Sequence, residues 1–210
     1  MKTRIKVCGL RDADMALRTA ELGADAIGLV FYPPSPRHVE IDAAMQIVAV
    51  LPAFVSSVGL FVDADVSFVR GVLNKVPLDL LQFHGDETPE YCWQFGRPYL
   101  KALRVRPDIN LVEYAQRYVD GLCKGILVDA FVEGVPGGTG EAFDWDLLPK
   151  SLPLPLILSG GLHSDNVYAA ICKVKPWAVD VSSGVESSKG IKDAAKIAAF
   201  INQAERNAHD

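Results

Sequence analysis

The sequence contains no apolar run long enough to cross a bilayer, so it offers no candidate membrane span. It also has no excess of positive charge: 21 Lys and Arg stand against 26 Asp and Glu, a formal net charge of −5. Phosphate backbones need clustered cations, so nucleic acid is not an expected partner. A small anionic ligand stays open, because a pocket needs only a few local donors. Cysteine is sparse and scattered, at Cys8, Cys92, Cys123 and Cys172, and neither a C-x-x-C nor an H-x-x-x-H spacing suggests a metal. The opening Met1-Lys2-Thr3-Arg4-Ile5-Lys6 runs directly into a strand-like segment, without the apolar stretch and cleavage pattern of a secretory leader. These absences lead to the expectation of a soluble cytoplasmic protein with free thiols and no metal. No low-complexity stretch or linker divides the chain. A single domain over residues 1–210 is expected, and the 50% hydrophobic content is enough for a sizeable core.

What the sequence does have is a repeated alternation. Apolar, β-branched runs occur at residues 4–8, 26–30, 55–61, 78–82, 99–104, 125–129, 154–158 and 178–181. They are apolar almost throughout, as parallel strands buried on both faces must be. Helix signals separate them. Asp12 can cap a helix with Ala16, Leu17 and Ala20 on its inner face, ending near Gly23. Thr88-Pro89-Glu90 reads as an N-cap followed by proline in the first turn. Ser164-Asp165-Asn166 opens another helix, and an Ala-rich helix over residues 191–204 ends the pattern. Strand–helix alternation of this kind predicts a parallel α/β sheet. Eight units in 210 residues predict a closed (β/α)8 TIM barrel over an open doubly wound sheet, since no pair of short, charged or proline-marked strands is suited to be edges. The least regular stretches, residues 31–38 and 130–143, both follow strands and are expected to be active-site loops.

In such a barrel, polar residues at the carboxyl ends of the strands carry the functional expectation. Cys8 ends the first strand, Gln82 and His84 lie at the end of the fourth, and Asp129 ends the sixth. Ser159-Gly160-Gly161 follows the seventh, and Asp180-Val181-Ser182-Ser183-Gly184-Val185-Glu186 contains the end of the eighth. Glycine-rich turns after neighbouring strands seven and eight can present backbone N–H groups to a phosphate, and a short helix from near Ser183 would add its N-terminal dipole. Gly160, Gly161, Ser182, Ser183 and Gly184 are therefore the phosphate candidates, although glycines also simply make tight turns. Cys8 by itself reads as a small buried hydrophobe; it becomes a base or nucleophile only if positive neighbours lower its pKa. Asp129, at the edge of an otherwise apolar strand, is either a capping or salt-bridged carboxylate or an acid. Arg37 follows Tyr32-Pro33-Pro34-Ser35-Pro36, a loop whose prolines reduce the entropy of holding it in place. His84 is an orienting hydrogen-bond group or a plain turn residue, and the residues alone do not choose between them.

Taken in order, these segments resemble the phosphoribosylanthranilate isomerase family of tryptophan-biosynthetic barrels. The resemblance spans essentially the whole chain. It runs through Lys6-Val7-Cys8-Gly9-Leu10, Gly23-Ala24-Asp25-Ala26-Ile27-Gly28, Phe31-Tyr32-Pro33-Pro34-Ser35-Pro36-Arg37, Val58-Gly59-Leu60-Phe61-Val62 and Leu81-Gln82-Phe83-His84-Gly85. It continues in Gly137-Gly138-Thr139-Gly140 with Phe143-Asp144-Trp145, in Leu158-Ser159-Gly160-Gly161-Leu162, and in the segment from Asp180 to Glu186. It implies an Amadori rearrangement of N-(5-phosphoribosyl)anthranilate without cofactor or metal. By that resemblance Asp129 is the general acid, Cys8 the general base, and Arg37 the partner of the anthranilate carboxylate. Gln82, His84, Gly138 and Thr139 would contact substrate, and the turns after strands seven and eight would hold its phosphate. Glu141, the stretch 131–136 and Phe83 depart from the family pattern. The small-molecule substrate is the only partner implied, and nothing suggests an obligate dimer, so a monomer is expected. A related barrel, indole-glycerol-phosphate synthase, would need a lysine acid at strand ends; here Lys6 lies deeper, two residues before Cys8 and of the same inward parity. A catalytically silent scaffold would not need Cys8, Asp129 and Arg37 together.

Overall fold

Runs that are apolar on both faces must be covered on both, and here a barrel interior covers one side and a layer of helices the other. The computed structural model describes residues 2–105, 109–130 and 145–206. The strands are β1 (Arg4–Cys8), β2 (Ala26–Val30), β3 (Ser56–Phe61), β4 (Leu80–Phe83), β5 (Tyr99–Val105), β6 (Cys123–Ala130), β7 (Leu156–Leu158) and β8 (Ala178–Val181). All pair in parallel and in sequence order, and Lys6 of β1 lies opposite both Ala26 of β2 and Asp180 of β8. That last pairing closes the ring, so none of these eight strands is left as an edge.

Helices α1 (Ala13–Glu21), α2 (Ile41–Val50), α3 (Val66–Leu73), α4 (Pro89–Trp93), α5 (Leu111–Gln116), α6 (Val167–Val174) and α7 (Ala194–Glu205) cover the outside. Asp12 caps α1 by accepting from the Met15 N–H at 2.8 Å, and Thr88 caps α4 ahead of Pro89, both as the sequence signals require. The alternation of strand side chains splits the core. Leu100, Ala102, Leu127, Ile157 and Ala178 fill the barrel, while the larger cluster, including Ile5, Val7, Ile27, Leu29 and Phe61, packs under the helices. At the amino-terminal end, Asp25 accepts from the Ile5 N–H and Asp79 from the Ser57 N–H, each at 2.8 Å.

Three local expectations are corrected. The seventh strand starts at Leu156 rather than 154, because Pro153 and Pro155 have no N–H to give a ladder. The turn from Ser183 is a single 3-10 turn, Ser183–Val185, too short to build a helix dipole. Ile191 and Lys192 are not helical: β10 (Ile191–Lys192) returns antiparallel to β9 (Glu186–Ser188), and α7 begins only after Asp193, whose carboxylate accepts from the N–H groups of Ala195 and Lys196.

Candidate active site

The carboxyl ends of the strands surround a cavity of about 680 Å³. Of the residues singled out from the sequence, Cys8, Arg37, Gln82, His84, Asp129, Gly160, Gly161, Ser182 and Ser183 all line it. Gly184 lies just behind, and Gly138 and Thr139 fall outside the described residues, as does Glu141.

Cys8 reaches the cavity because β1 turns its even-numbered residues inward. Its space exists because residue 28 on the neighbouring strand is glycine: a Cβ there would sit 2.7 Å from the Cys8 sulfur. Beneath it, the Lys6 ammonium donates to Asp180 at 2.8 Å, near enough to Cys8 to act on its thiol. Burial pushes the Cys8 thiol above its ordinary range, and the Lys6 and Lys192 ammoniums pull the other way. Lys6 itself, though fully buried, stays protonated. The burial penalty is outweighed by attraction to Asp180 and by its hydrogen bonds, which raise its pKa.

Asp129, the last residue but one of β6, lies across the mouth from β1, three places round the ring through β8 and β7. His84 Nε2 stands 3.3 Å from its Oδ2, and Gln82 Nε2 lies 2.9 Å from His84 Nδ1. With the Gln82 amide donating to Nδ1, the imidazole carries its proton on Nε2, the edge that faces Asp129. Of the two readings of His84, this geometry supports the orienting group. Gln82 Oε1 is buried with no partner among the described residues. The loop carrying His84 is fixed from behind by a second buried ion pair. Lys101 donates to Gly85 O at 2.6 Å and to Glu87 at 3.0 Å, and Glu87 accepts in turn from the N–H groups of Gly85 and Asp63. Such a buried pair is tolerable because each charge is fully hydrogen-bonded.

At the opposite side, Gly160 and Gly161 take positive φ of 84° and 65°, so the turn after β7 exposes backbone where a side chain would otherwise stand. The turn after β8 packs directly on it: a Cβ on Gly184 would lie 2.0 Å from Leu162 O. Two Gly/Ser turns in contact form the cup the sequence suggested. The Ser182 hydroxyl donates to Cys8 O at 3.0 Å, which leaves Ser183 and the backbone to face the cavity.

Arg37 is 8% exposed, and its guanidinium makes a two-pronged ion pair with Glu186, Nε to Oε1 at 2.7 Å and Nη2 to Oε2 at 2.9 Å. Glu186 also accepts from Lys192 at 2.8 Å and from the Gly190 N–H at 3.1 Å. Burial pushes the Glu186 carboxyl up, but the Arg37 and Lys192 hydrogen bonds more than compensate, and it sits below its usual range. Sequence reasoning missed this cluster. Glu186 stood in a segment already noted, but Lys192 lay in a stretch that reads as helix, and their approach to Arg37 spans about 150 residues of chain, a separation of 149 between Arg37 and Glu186.

Residues 5–203 match the family model described as N-(5'phosphoribosyl)anthranilate (PRA) isomerase. The chain belongs to the N-(5'-phosphoribosyl)anthranilate isomerase family. It is 58% identical over 205 residues to the N-(5'-phosphoribosyl)anthranilate isomerase of Azotobacter vinelandii, covering 98% of each chain. The phosphoribosyl anthranilate isomerase of Thermus thermophilus has the same fold, with a TM-score of 0.83 at 31% identity over 96% of this chain and 98% of that one. A further isomerase structure of the family, at TM-score 0.79 and 36% identity, covers 96% of this chain and 98% of that one. It holds reduced 1-(o-carboxyphenylamino)-1-deoxyribulose 5-phosphate.

Proposed function

We propose that this chain catalyses the Amadori rearrangement of N-(5-phosphoribosyl)anthranilate to 1-(2-carboxyphenylamino)-1-deoxyribulose 5-phosphate, a step of tryptophan biosynthesis. The observation that carries the reading is one cavity bringing together a thiol, a carboxyl group, a guanidinium and two touching Gly/Ser turns. These match the demands of the substrate. Its phosphate needs backbone donors, its aromatic carboxylate needs a planar cation, and its sugar needs an acid and a base on different sides.

Asp129, held by His84, gives its proton to the ring oxygen as the C1–O bond breaks and the anilino nitrogen lone pair forms the C1=N iminium. Cys8, as thiolate, takes the proton from C2. The C–H electrons form C1=C2, and the C=N pair returns to nitrogen, giving an enolamine. Moving the enol proton to C1 then yields the ketone. C2 is oxidised and C1 reduced within one molecule, so the iminium is the sole electron sink required. Lys6 is bound to Asp180 deep in the barrel, which supports Cys8 and Asp129, rather than a lysine acid, as the proton carriers.

The same proposal takes residues 1–210 as one domain that carries the whole catalytic unit, in keeping with one closed ring of eight strands around the cavity. Sedimentation at micromolar concentration checks the expected monomer. Among the described residues no helix is long and apolar enough to cross a membrane. A cytoplasmic location is part of the same proposal, in keeping with four free cysteines. The direct test is to mix purified protein with freshly made phosphoribosylanthranilate and follow loss of anthranilate-type fluorescence. Acceleration over the spontaneous background is expected, and none would overturn the reading.

Lys6 has a consequence that can be read chemically. Its ammonium favours the Cys8 thiolate, so Lys6→Met is expected to move the pH midpoint of Cys8 alkylation by iodoacetamide upward. At any pH below the midpoint, the thiolate fraction and the alkylation rate fall about tenfold for every pH unit by which the midpoint rises. An unchanged midpoint, read by mass of the Cys8 peptide, would show that Lys6 does not act on the thiol.

A further inference from the structure

Arginine presents five N–H groups in a rigid plane, and two edges of that plane can each grip a carboxylate. In this structure the side edge, Nε and Nη2, is already taken by Glu186. The end edge, Nη1 with the second hydrogen of Nη2, has no partner among the described residues, and Arg37 lines the cavity. Glu186 cannot swing away to free the other edge cheaply. Its two oxygens also hold Lys192 and the Gly190 N–H, and it is 7% exposed. Lys192 in turn donates to Ser182 O at 2.9 Å, and the Ser182 hydroxyl to Cys8 O at 3.0 Å. One chain of hydrogen bonds thus ties the guanidinium to the turn of the phosphate cup and to the strand end that bears the thiol.

We propose that Glu186 is a positioning residue for substrate selection: with Lys192 it locks the Arg37 plane so that the end edge meets the substrate's aromatic carboxylate at a fixed distance from the phosphate cup. This rests on the function proposed above and assigns the group that sets its carboxylate specificity. Charge alone predicts the opposite role. Arg37 and Lys192 are two cations beside one anion, so removing the Glu186 charge makes the site more attractive to an anion by simple Coulomb attraction. Positioning predicts that the same change weakens recognition, because a loosened guanidinium no longer presents a fixed fork.

The sign of one substitution therefore decides. Binding is measured by calorimetry for reduced 1-(o-carboxyphenylamino)-1-deoxyribulose 5-phosphate and for its counterpart with a plain phenyl ring. The wild-type chain is expected to prefer the carboxylate ligand. Glu186→Gln is expected to lose roughly tenfold of that preference, ~1.4 kcal/mol, with little change for the phenyl ligand. In an Arg37→Ala background the same substitution is expected to leave the preference unaltered, because Glu186 acts through Arg37. A preference unchanged or increased by Glu186→Gln, or lost equally without Arg37, overturns the proposal. If Glu186→Gln does not fold, Glu186→Asp keeps the charge while withdrawing the carboxylate by one methylene, and the same ratio is read with the same expected sign. Absence of isomerase turnover in the wild-type chain would speak against the proposed function. Loss of the ligand preference is measured by binding alone, so the two failures are distinguishable.

Discussion

Cys8→Ala is expected to reduce isomerase kcat by about 10²–10⁴-fold, the usual worth of a placed proton-transfer group. The loss should fall on turnover and not on folding. Removing one buried sulfur from the strand end costs at most about 1 kcal/mol, a shift of a few °C in Tm. Affinity for the reduced product should change by no more than about threefold, because neither the phosphate cup nor Arg37 is touched. With substrate deuterated at C2, the residual reaction should show a larger isotope effect than wild type, since proton removal from C2 then limits the rate. Turnover close to wild type would remove Cys8 from the base role. Burial raises the thiol's pKa while the Lys6 and Lys192 ammoniums lower it, so the proposed base role calls on those two lysines as well as on the sulfur.

Asp129→Asn is expected to cost a similar factor, about 10²–10⁴-fold in kcat, for a different reason. Asparagine keeps the shape of the side chain, and its oxygen can still accept from His84 Nε2, which stands 3.3 Å from Asp129 Oδ2. What it loses is the proton for the ring oxygen. Ring opening should then limit the rate, and the isotope effect at C2 should shrink toward unity. The two variants thus move the same measurement in opposite directions, which a general weakening of the fold cannot do. Equal isotope effects in both, or near-wild-type turnover of Asp129→Asn, would overturn the order of steps.

The barrel and most of the site were legible because the signals are local. Parallel strands buried on both faces read as short apolar runs, and Cys8, Gln82 and Asp129 stand where such runs turn polar. The Gly160-Gly161 turn was legible because a second Gly/Ser turn follows the neighbouring strand, and both glycines take positive φ. The helix expected over residues 191–204 failed at its start for an equally physical reason. Ile191 and Lys192 have no strong local preference against helix, and pairing with Glu186–Ser188 decides them as strand. That hairpin carries Lys192 to Glu186, so the local misreading hid the clamp on Arg37.

The feature with the most chemistry could not be read along the chain at all. Lys6 with Asp180, His84 with Asp129, and Arg37 with Glu186 join residues 174, 45 and 149 positions apart. By itself the sequence determined which residues stand at strand ends, and hence that a thiol, a carboxyl group and two glycine turns face one mouth. Only the tertiary structure decided which charge neutralises which, because a buried ion pair is fixed by where the closed ring brings distant strands together.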